Sequence, residues 1–90
     1  MELKELLLNH IDEIHTTVLG IERIKRNLNL ENEDVVNFCK DRIKDDASKI
    51  TRVGKNYYVE LSECIITINA YSYTIITAHK NKGEKENEKI

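Results

Sequence analysis

"SKITRVGKNYYVELSECIITINAYSYTIITAHK", residues 48–80, decides the architecture. Its hydrophobic period is 2, whereas apolar residues earlier in the chain recur at helical spacing. "SKITRV" (48–53) predicts a strand, "GKN" (54–56) a turn and "YYVEL" (57–61) a second strand. "SE" (62–63) predicts a tight turn. "CIITIN" (64–69) and "YTIITAH" (73–79) predict two further strands joined by "AYS" (70–72). Loops this short make hairpins, so an antiparallel meander is expected.

Upstream, "ELKELLLNHIDEI" (2–14) predicts an amphipathic helix with Leu3, Leu6, Leu7, His10, Ile11 and Ile14 on one stripe. On that apolar stripe His10 reads as a packed, structural histidine. Thr17, or Thr16, is the expected N-cap of a second helix over 18–28. Ile21, Ile24 and Leu28 would face inward there, opposite Arg23, Arg26 and Asn27. "LENED" (30–34) breaks the pattern. Asn32 is the expected N-cap of a third helix over 33–45, whose inner stripe is Val35, Val36, Cys39 and Ile43. Segregated helices and strands predict an α+β fold: three N-terminal helices packed on one face of a four-stranded antiparallel β-meander, the other face open. Residues 1–80 form a single domain in this reading, and 81–90 a charged, disordered tail.

Ninety residues support one domain with a modest core, a size at which a partner or dimer adds stability. With 14 basic and 16 acidic residues the net charge is −2, which is not the balance of a dedicated nucleic-acid-binding chain. Any basic patch must therefore be local. Cys39 and Cys64 occupy apolar positions and form no C-x-x-C pair, so buried thiols in a reducing cytoplasm are expected, with no metal and no cofactor. The longest apolar run is Leu6–Leu8, so no spanning helix, no membrane partner and a cytoplasmic location are expected.

Strand register decides which side chains share the open face. A three-residue loop, Ala70–Ser72, sets Asn69 opposite Tyr73, Thr67 opposite Ile75 and Ile65 opposite Thr77. Cys64, Ile66, Ile68, Thr74, Ile76 and Ala78 then point towards the helices, with Tyr57, Val59 and Leu61. The open face carries Tyr58, Glu60, Thr67, Asn69, Tyr73, Thr77 and His79, with Ile65 and Ile75 between them. A carboxylate and a histidine on one face, with hydroxyls and an amide nearby, suit general acid–base chemistry. Arg23, Lys25 and Arg26 could neutralise a phosphate if the second helix lies against the sheet edge. The same residue types are also ordinary on a solvated strand, and "RIKR" (23–26) on a solvated helix face.

"HTTVLGIERIKRNLNL" (15–30), "DVVNFCKDRI" (34–43) and "GKNYYVELSECIITINAYSYTIITAHK" (54–80) resemble a family of small bacterial proteins, domain of unknown function 3781. The resemblance covers roughly residues 10–80 and implies no activity. Helices followed by a meander, with His and Thr on the last strand, are also similar in architecture to the barnase-like and RelE-like ribonuclease toxins. That similarity implies a metal-independent RNA-cleaving domain. In it His79 would be general acid or base and Glu60 its partner, taking the 2′-hydroxyl proton. His15 would be a second acid–base group. Arg23 and Arg26 would hold the phosphate. Ser72, Thr74 and Thr77 would supply hydrogen bonds beside Asn69, and Tyr71 and Tyr73 would stack on bases. Enzymes of this kind are often basic, and this chain is slightly acidic. Two rival readings follow from the same residues. One is a non-catalytic module that holds a nucleotide, an RNA segment or a protein on the polar face. The other is an interaction protein or homodimer that pairs through an exposed strand edge.

Overall fold

The computed structural model describes residues 3–31 and 34–81. Its elements are α1 (Leu3–Asn9), a 3₁₀ turn (Ile11–Glu13), α2 (Val18–Leu28), α3 (Val35–Lys44), β1 (Lys49–Val53), β2 (Asn56–Glu60), β3 (Cys64–Asn69) and β4 (Ile75–Lys80). The fold is therefore α+β, with helices first and a four-stranded antiparallel sheet in the order β1-β2-β3-β4. No helix among the described residues is long and apolar enough to cross a membrane.

Helix limits follow local chemistry. The first helix stops at Asn9, short of the expected residue 14, because the backbone at His10 leaves helical geometry and tightens into the 3₁₀ turn. In α2, Thr17 caps the start by accepting from the Gly20 N–H, and left-handed Asn29 ends the helix. In α3 the cap is Asp34, whose side chain accepts from the Asn37 N–H. Asn32 and Glu33, read from sequence as the cap and first turn of this helix, lie outside the described residues, as does the tail from residue 82.

The sheet separates its side chains cleanly. Tyr57, Val59, Cys64, Ile66, Ile68, Ile75 and Ala78 are buried with Leu7, Ile14, Ile24, Val35, Cys39 and Ile43 of the helical layer. On the other face Thr51, Tyr58, Thr67 and Thr77 form one cross-strand row, and Lys49, Glu60, Ile65 and His79 another.

One part of the expected register is wrong. Asn69 N–H donates to Thr74 O at 2.8 Å, so the β3–β4 loop has four residues, one more than the sequence reading assumed. A bulge between Ile75 and Thr77 then inserts a second extra residue, and beyond it Thr67 faces Thr77 and Ile65 faces His79. The two additions cancel in parity, so Ile66, Ile68 and Ala78 point inward as expected. Only the residues between loop and bulge exchange faces. Ile75 is buried at 1% exposure and Ile76 is exposed at 39%.

Both outer strands are edges, and they are treated differently. The free edge of β4 is covered by α2 and by the segment before it. Residue 15 pairs with Thr74 in a parallel bridge: Ile75 N–H donates to His15 O at 2.7 Å and His15 N–H to Tyr73 O at 3.2 Å. Thr16 Oγ1 donates to Ile75 O at 2.8 Å, and Asn27 Nδ2 to Ala78 O at 3.1 Å. Edge carbonyls that would otherwise recruit another chain are thus satisfied within the domain. The β1 edge is exposed and carries Lys49 and Arg52, charges of the kind that discourage strand addition.

The two thiols are buried and free. Burial pushes Cys39 up to about 12, with the neighbouring Cys64 adding to the shift. Burial also pushes Cys64 up to about 11, aided by Glu63 and opposed by Arg42. The folded chain keeps these protons where the unfolded chain, with thiols near about 8.5, releases them. Stability is therefore lost as pH rises past the unfolded value towards the folded ones. Unfolding in urea is expected to show a fall of about 2 kcal/mol per thiol between pH 8 and pH 10. A Cys39→Val variant should show a shallower fall, and an unchanged slope would contradict this origin.

Candidate active site at the β3–β4 turn

The stretch Asn69–Thr74 folds back through its own amide. Asn69 Oδ1 accepts from Tyr71 N–H and Ser72 N–H, both at 2.9 Å, and from Ser72 Oγ at 3.2 Å. Tyr73 closes the loop in the left-handed region, φ 59°, an uncommon conformation for a residue of this size. Ala70 N–H donates to Lys55 O at 2.7 Å, which ties this turn to the β1–β2 turn at the same end of the sheet.

His15 meets this turn through its backbone bridge and through its ring. Nδ1 lies 2.8 Å from Glu13 O, and Nε2 lies 3.1 Å from Thr74 Oγ1. A carbonyl can only accept, so Nδ1 carries a proton and, in the neutral ring, Nε2 presents its lone pair. Thr74 then donates to Nε2. Its own oxygen then accepts from Ser72 Oγ at 2.8 Å, a bond that shares the single Ser72 proton with the longer 3.2 Å contact to Asn69 Oδ1. The result is a connected line of Glu13 carbonyl, imidazole and two hydroxyls, with its basic nitrogen at a partly exposed surface.

His10 stands beside it. Its ring stacks on Tyr73, centroids 4.6 Å apart and planes 16° apart, and Nδ1 lies 2.8 Å from Glu13 Oε2. Arg52 supplies positive charge. Its guanidinium lies over the rings of Tyr57 and Tyr71, 5.7 Å and 5.5 Å from their centroids, and Nη2 donates to Tyr71 Oη at 3.4 Å. The Tyr73 phenol is pushed up from its ordinary value, chiefly by burial, then by Tyr57 and Glu13, with Arg52 opposing. Glu13 and Arg52 therefore act on the same ring with opposite signs.

Of the residues proposed from sequence, the structure brings His15, Asn69, Tyr71, Ser72, Tyr73 and Thr74 together. It leaves the others elsewhere. His79 lies five residues beyond the Thr74 bridge, about 16 Å along an extended strand. Glu60 and His79 share the outer face, but Ile65 stands between them across two strand spacings, about 10 Å. Glu60 lines a shallow depression with Lys49 and Ser62. Thr77 Oγ1 accepts from Asn27 Nδ2 at 3.5 Å and so belongs to the α2 contact. Arg23 and Arg26 are exposed on α2, and among the described residues neither makes a side-chain hydrogen bond or ion pair.

Two members of the cluster, His10 and Arg52, have no site role in the sequence reading, and a third, Thr74, enters it as a hydrogen-bond donor on the wrong face. Thr74 was turned inward by the short-loop register. His10 was assigned to packing. Arg52 sits on a strand whose cross-strand partner, Tyr57, appears only once the sheet is assembled. The only available signal was the density of polar and aromatic types in residues 69–74 and the five-residue spacing of two histidines.

A family model described as "Protein of unknown function (DUF3781)" matches residues 8–79. No curated protein and no solved structure matches the chain. The matched span holds every residue of this cluster.

Proposed function

Starting from a chain that belongs to the DUF3781 family, whose description carries no activity, we propose that it is a small cytoplasmic RNA-cleaving domain whose base is His15. The observation that supports this most directly is the His15 ring itself. Nδ1 is held by the Glu13 carbonyl, and Nε2 is aimed at a hydroxyl. Such an imidazole is oriented as a base towards an O–H group, the element that RNA transesterification requires.

A ribose 2′-hydroxyl occupying the position of the Thr74 hydroxyl gives its proton to Nε2. The 2′-oxygen attacks phosphorus, the bond to the 5′-oxygen breaks, and that oxygen takes a proton. The products are a 2′,3′-cyclic phosphate and a 5′-hydroxyl. The nucleophile lies within the substrate, so this route asks the protein for a base, an acid and charge stabilisation, without a metal-bound water. Ser72, and the Thr74 hydroxyl once it has turned away from Nε2, can donate to a non-bridging phosphate oxygen. Arg52 lies on the same end of the sheet to offset the charge gained there. Tyr71, 70% exposed, offers a ring on which an unpaired base can stack. Few cations serve this site, in keeping with the net charge of −2. RNA affinity should therefore be modest and only weakly dependent on salt.

The test is the product. Incubated with single-stranded RNA in the presence of chelator, the purified chain should yield fragments ending in cyclic phosphate, with a bell-shaped dependence on pH. RNA that is bound but remains intact across a range of sequences and pH values would replace this proposal with a non-catalytic binding module.

A further inference from the structure

Transesterification also needs an acid for the departing 5′-oxygen, and His15 cannot serve as both base and acid in one step. Resting on the reading above, we propose that His10 is that acid: a second imidazole held against Tyr73 by stacking and against Glu13 by a hydrogen bond, beside the His15 relay.

The placement depends on three residues that both histidines share. Glu13 gives its carboxylate to His10 Nδ1 and its carbonyl to His15 Nδ1. Tyr73 gives its ring to His10 and its carbonyl to the His15 N–H. The 3₁₀ turn between them fixes the spacing, because three residues per turn bring Glu13 back over His10, where the Glu13 N–H donates to His10 O at 2.9 Å. His10 is 37% exposed, so its ring is braced on one side and open on the other. A carboxylate only accepts, so Nδ1 keeps its proton and the transferable proton is the one on Nε2. The titratable and charged groups that face this ring are Glu13 from its own turn and Tyr73 from the β3–β4 turn. Tyr57 and Arg52 act electrostatically on Tyr73. In the step itself Nε2–H gives its proton to the 5′-oxygen as the P–O bond breaks, and the ring is left neutral.

A leaving group that needs no proton separates this role from packing. Wild-type protein is assayed on a short RNA and on a nucleoside 3′-(4-nitrophenyl phosphate), whose nitrophenolate departs unassisted. His10→Phe, which keeps a ring to stack on Tyr73, is expected to lower cleavage of RNA about a hundredfold. It should leave the aryl ester within about threefold of wild type and remove the alkaline limb of the pH profile. Equal losses on the two substrates, or no loss on RNA, would overturn the assignment to His10 while leaving the ribonuclease reading in place. A wild-type protein that cleaves neither substrate would overturn both.

Discussion

His15→Asn is expected to lower RNA cleavage about a thousandfold, within the range typical for loss of a positioned base, while His79→Gln stays within about twofold of wild type. The asparagine amide nitrogen can occupy the position of Nδ1, so the bond to Glu13 O survives and the basic nitrogen alone is removed. The parallel bridge at residue 15 uses backbone atoms and is untouched. The variant should therefore melt within a few degrees of wild type, a shift worth about 1 kcal/mol for a domain of this size. His79 serves as the comparison because sequence reading placed it at the centre of the site. It lies on the outer face, opposite Ile65 and far from the His15 ring. Cleavage rates at saturating RNA, read beside thermal melts, decide between the two. If activity follows His79 and Glu60 and ignores His15, the reaction belongs to the outer face of the sheet and the turn is structural.

The second large effect is on stability. Gly20→Ala is expected to cost about 2–3 kcal/mol, the range for forcing atoms into a packed site, and to lower the melting temperature by roughly 10–20 °C. By helix propensity alone alanine would be the better residue at this position, by up to about 1 kcal/mol. Packing reverses that preference. A Cβ at position 20 would sit inside the van der Waals radius of Thr16 Oγ1, the hydroxyl that donates to Ile75 O and closes the β4 edge. Thr17 Oγ1, which caps α2, lies only 3.3 Å from the same point. The substitution thus forces two of the contacts that hold α2 to the sheet. A double-mutant cycle isolates the cause. Adding Thr16→Ala should make the Gly20→Ala step nearly neutral, because the obstructing oxygen is gone. Equal costs in the two backgrounds would show that the penalty arises elsewhere.

These two predictions concern one motif. "HTT-x-LG" resembled a signature before its purpose was visible. In the fold four of its residues have separate tasks. His15 bridges β4 and aims its ring at Thr74. Thr16 caps an edge carbonyl. Thr17 caps α2, and Gly20 leaves room for the Thr16 hydroxyl. "NAYSY" is similar: Asn69 organises the loop that Tyr73 completes in a left-handed conformation. Such roles join a side chain to a backbone atom many residues away, so composition and periodicity carry no trace of them.

The order of elements, the α+β class, the antiparallel meander and the inward set Ile66, Ile68 and Ala78 were all legible in the amino-acid order. Each depends on a period of 2 or 3.6 over a few neighbouring residues, and periodicity is a local property. What only the tertiary structure decided was which residues meet in the candidate site. One extra residue in the β3–β4 loop and one in the bulge moved Ile75 inward and left Thr74 beside the loop, and neither has a signature in the apolar pattern. The meeting of His15 with Thr74 spans 59 residues and depends on a parallel bridge to the β4 edge. A contact of that kind is set by where α2 docks on the sheet. Docking is decided by the packing of whole surfaces, which no short stretch of sequence contains.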